Sequence, residues 1–474
     1  MEFIRSDDIL SVCSSDTGSS DTGSSDSGSK SRLSIKYNFI NKMSFEDALE
    51  FEHAVFESID EYTNEHLGKM CSSNFHTNLV QDVAIHFFEL LADFDECSGQ
   101  DHDYEYIEEF VKLRAELFFD TISSIPNRSR KRPDTTIPLS NIVISELTTQ
   151  IAHLRSLPQP VQRTKEWYEF RYNLITASSL GKLFGSDSLY NSIICEKCKP
   201  LDYASSLGHC SVDSPMHWGT KYEPLTIMLY EKMYQTKIED FGCIRHRTYP
   251  CIGASPDGIN VDPASPLYGR MLEVKNIVNR EISGIPLDAY WIQMQGQMET
   301  CDLDECDFIE TQFKEYDESE FYSDSSHKFK GVVLYLVKKQ TKCVTSNVEY
   351  GLTNNSILCA NIVVGLHSSE SSKQIYTNYK QYNIPHYVFM PLTVGLNKES
   401  VDQWIAQKKE ELRDTYTLYT TQYWYLDKMS CVLVQRNRAW FNASVSKIVD
   451  AWATIEKERV SGWEHRLPKK YIRI

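Results

Sequence analysis

No apolar run in this chain is long enough to cross a membrane as a helix. The longest, Gly331-Val-Val-Leu-Tyr-Leu-Val337, falls far short of the roughly 18 residues a spanning segment needs. The start, Met1-Glu-Phe-Ile-Arg-Ser-Asp-Asp8, turns acidic at once, so no secretory leader is visible. The thirteen cysteines are odd in number and scattered from Cys13 to Cys431, which reads as reduced thiols instead of a disulfide framework. Membrane and secreted classes are excluded on these grounds, and an intracellular protein is expected.

A basic excess is missing too. The chain has 49 basic and 66 acidic residues, a formal charge of −17, which argues against a polyanionic partner because phosphates are held by Lys and Arg. The total misleads until it is divided. Residues 1–125 carry 8 basic and 26 acidic side chains, whereas 126–474 carry 41 and 40. The larger part is close to neutral and can still hold a local basic groove. What is present is a globular composition, 41% hydrophobic and 12% aromatic, over 474 residues. At roughly 100–200 residues per domain, that allows two to four domains.

Residues 1–33 hold a tandem repeat, Ser14-Ser-Asp-Thr-Gly18, Ser19-Ser-Asp-Thr-Gly23, Ser24-Ser-Asp-Ser-Gly28, with nothing apolar to bury. A disordered tail is expected, either simply solvated or open to phosphorylation. Residues 34–125 read as an acidic helical domain: Phe45, Leu49, Phe51, Val55 and Phe56, then Val83, Phe87, Phe88, Leu90 and Leu91, recur at helical spacing. Residues 126–140, with Arg128-Ser-Arg-Lys-Arg132-Pro133, read as a basic linker or a nucleic-acid or import patch.

From 141 to 474 the pattern is mixed α/β. Helices are predicted over Glu166–Phe184, Met216–Tyr234, Pro286–Thr300, Glu399–Leu412 and Ala443–Arg459. Strands are predicted over Cys243–Tyr249, Met271–Lys275, Phe308–Phe313 and Val332–Lys338. Tyr376, Tyr379, Tyr382 and Tyr387, with Lys373 and Lys380, either stack on unpaired bases or pack in the ordinary way.

The chemistry concentrates in Gly253-Ala-Ser-Pro-Asp257-Gly258 and Leu272-Glu273-Val-Lys275. Ser-Pro-Asp-Gly is a turn by composition, which puts Asp257 at the mouth of a strand. The period of a strand sets Glu273 and Lys275 on one face, with Leu272 and Val274 on the other, toward the core. Two carboxylates and an ammonium then converge, a set suited to a hard divalent cation such as Mg²⁺. The lysine can hold a water bound to it. Glu-x-Lys alone is common and is read equally as an exposed pair. The upstream Pro-Asp-Gly turn makes it informative, and His217-Trp-Gly219 through Glu223-Pro224 adds a helix-borne carboxylate. Tyr290-Trp-Ile-Gln293-Met-Gln295-Gly-Gln297 adds amides, and Trp167-Tyr-Glu-Phe-Arg171 with Ile175-Thr-Ala-Ser178 stands upstream.

In order and spacing these blocks resemble the phage λ exonuclease and YqaJ-like viral recombinases of the PD-(D/E)XK nuclease superfamily, over Trp167 to Thr300. The resemblance implies a restriction-endonuclease-like α/β core, a small mixed sheet flanked by helices, with an added N-terminal helical domain. It implies metal ligation by Glu223, Asp257, Glu273 and the Val274 carbonyl, using Mg²⁺ or Mn²⁺. Lys275 would orient the attacking water and Gln293 would fix it or the strand, although Gln295 and Gln297 stand close by. Arg171 and Ser178 fall where the family binds a terminal 5′-phosphate, a task suited to a guanidinium fork and a hydroxyl.

The implied activity is 5′→3′ degradation of linear duplex DNA, leaving 3′ single strands for viral recombination, repair or replication. The implied partners are duplex DNA ends, a single-strand annealing protein and further copies of the chain in a ring trimer. The implied location is the host cytoplasm or nucleus during infection by a large DNA virus. A structure-selective endonuclease on the same core and a non-catalytic DNA-binding scaffold remain as rivals. Cys195, Cys198, His209 and Cys210 form a candidate zinc set, although the adjacent second pair strains a tetrahedron.

Overall fold

The computed structural model describes residues 43–93, 101–131, 138–162, 164–201, 214–339 and 385–467. The Ser/Asp/Gly repeat, His209, Cys210, Lys373, Tyr376, Tyr379, Lys380 and Tyr382 lie outside them. The described residues fall into two compact units, one of 43–57, 81–93 and 101–114, the other of 58–80 and 115 onward.

The first unit draws on α1 (Phe45–Glu65), α2 (Phe75–Asp93) and α3 (Asp101–Leu117). Helical spacing locates most of its core: Phe51, Val55, Val83, Phe87 and Leu91 are buried, joined by Ile107, Phe110 and Val111. Phe51 meets Phe87 edge-on at 5.2 Å and Phe110 at 5.5 Å, distances at which aromatic rings attract beyond simple burial. Phe45 and Leu49, at the start of α1, are exposed instead.

In the second unit the remaining helices are α4 (Asn141–Ser156), α5 (Lys165–Tyr172), α6 (Ala177–Leu180), α7 (Asp187–Cys198), α8 (Pro215–Tyr234), α9 (Asp288–Cys301), α10 (Glu318–Ser323), α11 (Lys398–Leu412) and α12 (Arg438–Ser461). Ser140, Thr164, Ser214, Asn397 and Asn437 start α4, α5, α8, α11 and α12. Each side chain accepts the backbone N–H three residues on, satisfying a donor the helix leaves open.

The strands are β1 (Arg130–Lys131), β2 (Ile175–Thr176), β3 (Ile238–Glu239), β4 (Ile244–Arg245), β5 (Ile252–Ala254), β6 (Gly258–Asn260), β7 (Met271–Asn276), β8 (Glu305–Tyr316), β9 (Lys330–Lys338), β10 (His386–Phe389) and β11 (Tyr416–Gln435). The main sheet has the order β10-β9-β11-β8-β7-β6-β3, with β1 paired to β11; a smaller sheet is β2-β5-β4. Within the main sheet β7 and β8 are parallel, and α9 lies in the crossover such a pair requires.

The expected mixed α/β architecture with flanking helices is therefore present. Tyr222, Leu225 and Leu229 of α8 pack on Phe313, Val333 and Trp424, and Tyr230 packs with Leu272, Val274 and Ile309. Burying each of these leucines contributes about 1.5–3 kcal/mol.

Four segments differ from expectation. Glu166–Phe184 is not one helix: α5 ends at Tyr172, and Ile175–Thr176 pairs with Ile252–Gly253 as β2. The β-branched pair gains more from burial in a sheet than from a helix. The strand over Cys243–Tyr249 shrinks to Ile244–Arg245, because His246 Nδ1 accepts the N–H groups of Thr248 and Tyr249 and bends the chain into a turn. The twenty-residue β11 was not anticipated. Arg128, in the stretch read as a basic linker or patch, is buried: its guanidinium donates to the Cys71 carbonyl and pairs with Asp288 at 3.2 Å, while β1 extends the sheet.

Candidate active site

Asp257 sits in the turn between β5 and β6 and is half-buried. Gly258 follows it because β3 approaches so closely that a Cβ there would lie 2.2 Å from Ile238 Cγ2. β6 stops pairing with β7 at Leu272. The next N–H facing that way, that of Val274, is caught by Asp257 Oδ2 at 2.7 Å. A strand residue presents N–H and C=O to the same neighbour, so the Val274 carbonyl is offered to the Asp257 side as well.

β7 alternates as its sequence implies: Leu272 and Val274 enter the core beneath α8, while Glu273 and Lys275 face α9. Glu273 is fully buried, an arrangement that is costly for a carboxylate unless it is hydrogen-bonded. Lys275 Nζ donates to its Oε1, Gln293 Nε2 donates to Oε1 at 2.6 Å, and Gln297 Nε2 donates to Oε2 at 2.7 Å. Gln293 and Gln297 stand one helical turn apart on α9, and Gln297 also reaches the Ser255 carbonyl at 3.2 Å. Gln293 is half-exposed whereas Gln297 is buried, so of these two amides Gln293 is the one open to solvent. Gln295 turns away and bonds the Gln435 carbonyl and the Asn437 N–H.

The electrostatics join the acids. Burial, then the charge of Glu273 and that of Glu223, raise the pKa of Asp257 well above the usual carboxylate value, against the pull of Lys275 and the Val274 N–H. Burial opposes the charge on Lys275, but Glu273 and Asp257 outweigh it and hold the ammonium above its usual range. Asp257 thus feels both Glu273 and Glu223, and the charge of Lys275 does not offset burial and these two acids. Among the described residues, no three His, Cys, Asp or Glu side chains stand ready-made as a metal cage, and Glu273 is turned to its nitrogen donors. The donor set is nonetheless all oxygen and net negative, which fits a hard divalent cation.

Arg171, on α5, lies 4.6 Å from the Trp167 ring and within reach of the Cys243 thiol, which in turn reaches Ser255, two residues before Asp257. Ser178 is exposed and 3.1 Å from Thr176 Oγ1. Lys197, inside Cys195-Glu-Lys-Cys198 and without a sequence signal of its own, donates to the Arg171 carbonyl at 2.9 Å. Burial lowers its pKa to about 8, with Arg171, Arg459 and Lys182 adding to the effect against Glu196. Glu310 pairs with Arg280 beside Lys275 in the β7–β8 register.

Cys195 and Cys198 both lie on α7, where burial holds each thiol above its usual pKa and so disfavours the thiolate that zinc requires. Cys198 is turned to the Ile455 carbonyl, and His209 and Cys210 lie outside the described residues. Tyr387 of the tyrosine-rich segment bonds His217 at 2.5 Å.

Residues 166–304 match the YqaJ-like viral recombinase domain family. Arg171, Ser178, Glu223, Asp257, Glu273, Lys275 and Gln293 all fall inside the matched stretch, whose limits lie close to Trp167 and Thr300. The chain is 26% identical over 325 residues to an uncharacterized protein of Acanthamoeba polyphaga mimivirus, covering 64% of this chain and 54% of that protein. It therefore spans about half the length of the curated relative it matches. Two crystal structures of LHK-Exo align at 15% identity over 64% of the chain. One, in complex with dAMP, gives a TM-score of 0.32 with 97% of that chain covered. The other, described as an alkaline exonuclease from Laribacter hongkongensis, gives 0.30 with 95% covered. Among the described residues no helix is long and apolar enough to cross a membrane.

Proposed function

We propose that the protein is a metal-dependent deoxyribonuclease that degrades linear duplex DNA from its 5′ ends. The observation that carries this reading is the geometry at the end of β7, where Asp257 Oδ2 holds the Val274 N–H beside the buried Glu273–Lys275 pair, inside the stretch that matches the YqaJ-like viral recombinase family. Asp257, Glu273, Glu223 and the Val274 carbonyl hold Mg²⁺ or Mn²⁺. Bound there, the cation supplies Lewis-acid stabilisation of charge on a phosphoryl oxygen. Lys275 keeps its proton, since its acidic neighbours favour the ammonium, and it orients the attacking water as a donor. Gln293, the half-exposed amide, shares that water or the strand, while buried Gln297 holds the far oxygen of Glu273. Arg171 and Ser178 receive the terminal 5′-phosphate, and Lys197 adds positive charge behind Arg171. The product is a 3′-ended single strand, the substrate of an annealing protein during viral recombination.

Purified protein with linear duplex labelled at either end, with and without Mg²⁺, tests the reading. We expect metal-dependent release of the 5′ label first and no attack on a covalently closed circle. Cutting of the circle would replace an exonuclease with an endonuclease, and digestion in excess EDTA would end the metal reading.

A further inference from the structure

Asn276 follows Lys275 at the end of β7, and strand alternation turns it to the α8 side. Its Oδ1 accepts from Thr226 Oγ1 and from Thr311 Oγ1, each at 2.7 Å, and the two threonine hydroxyls are 3.1 Å apart. Its Nδ2 donates to the Gly219 carbonyl at 2.9 Å. Thr226 and Thr311 are completely buried. Gly219 and Thr226 lie four residues before and three residues after Glu223 on α8, so one amide grips the helix on both sides of that carboxylate.

The rest of α8 is held by apolar contacts of Tyr222, Leu225, Leu229 and Tyr230. Such burial is non-directional and sets how close the helix lies more firmly than how far it slides or turns. Pro224, inside α8, removes one backbone donor next to Glu223 and loosens the helix where the carboxylate must be placed. A buried network with every member bonded supplies the missing direction.

We propose that Asn276 is a positioning residue: with Thr226 and Thr311 it sets the register of α8 on β7, and so presents Glu223 to the cation shared with Asp257 and Glu273. This rests on the reading of Glu223 as a metal ligand. The clamp touches neither cation nor DNA and acts only through Glu223.

The test is Mn²⁺ binding to the full chain by calorimetry, without DNA, for wild type, Asn276→Leu, Glu223→Gln and the double variant, with thermal melting alongside. Outer partners that orient metal ligands typically alter affinity 10–100-fold, so Asn276→Leu should weaken Mn²⁺ about tenfold. In the Glu223→Gln background the same change should have almost no further effect, because the group it orients is already gone. Thr226→Val, nearly isosteric, should weaken binding about threefold, and it serves if Asn276→Leu does not fold. An equal loss from Asn276→Leu with and without Glu223, or melting loss with unchanged affinity, overturns the clamp alone. Unchanged Mn²⁺ affinity in Glu223→Gln overturns the metal-ligand reading and the clamp with it.

Discussion

Asp257 shows at the scale of one residue how a site can oppose its own fold. Burial, Glu273 and Glu223 raise its folded pKa, so the folded state holds its proton more tightly than the unfolded chain does. That stability is fully present below the unfolded value near pH 4 and is lost as pH rises through the folded pKa. Asp257→Asn should therefore abolish cleavage yet melt higher than wild type in EDTA at pH 8, by about 1 kcal/mol. The gap should close as the buffer is taken down toward pH 4. A variant less stable than wild type at pH 8 would contradict the charge argument. For Arg171, loss of a charge-assisted contact worth about 1.5–3 kcal/mol predicts a roughly 10–100-fold slower digestion of 5′-phosphorylated ends in Arg171→Ala. Ends lacking the phosphate should be digested at nearly the wild-type rate; equal losses on both would remove the phosphate role.

Among elements, α8 and β7 were legible because their burial follows one clean period: Tyr222, Leu225 and Leu229 on the helix, Leu272 and Val274 on the strand. β11 was not. It crosses from β9 to β8 with register shifts and many half-buried residues, so no alternation marks it, and only its wealth of Tyr, Thr, Trp and Val is strand-like. α9 carries both amides that grip Glu273, and its seat depends on Gly296, where a Cβ would lie 2.5 Å from Leu180 Cδ1. Gly296→Val should cost about 1–3 kcal/mol by overpacking against α6. Because Gln293 and Gln297 ride on the displaced helix, cleavage at a temperature where the variant stays folded should fall by more than the folded fraction does. Denaturant melts and initial rates read the two effects separately.

For the whole molecule, a cation at the proposed site would be linked to folding. A ligand at one hundred times its dissociation constant adds about 2.7 kcal/mol to stability. Mg²⁺ or Mn²⁺ should therefore raise the melting temperature of the wild-type chain and leave that of Asp257→Asn almost unmoved. An identical shift in both would place the bound ion elsewhere. The charge asymmetry belongs to this scale too: residues 126–474 are close to neutral, and within them Arg171 and Arg459 lie near enough to Lys197 to lower its pKa.

The linear chain by itself determined the local setting of Asp257, Glu273 and Lys275, because a turn and a short strand have conformations that are locally encoded. It also settled that Leu272 and Val274 oppose Glu273 and Lys275, since a strand has a period of two. Contacts between distant segments were decided only by folding. That Gln297 joins the Ser255 carbonyl to Glu273, that Lys197 backs Arg171, that Arg128 is an anchor, and that Asn276 binds Gly219 and Thr226 all depend on packing. Such hydrogen bonds carry no local periodicity, and they form only once burial has brought the partners together and made leaving them unpaired too costly.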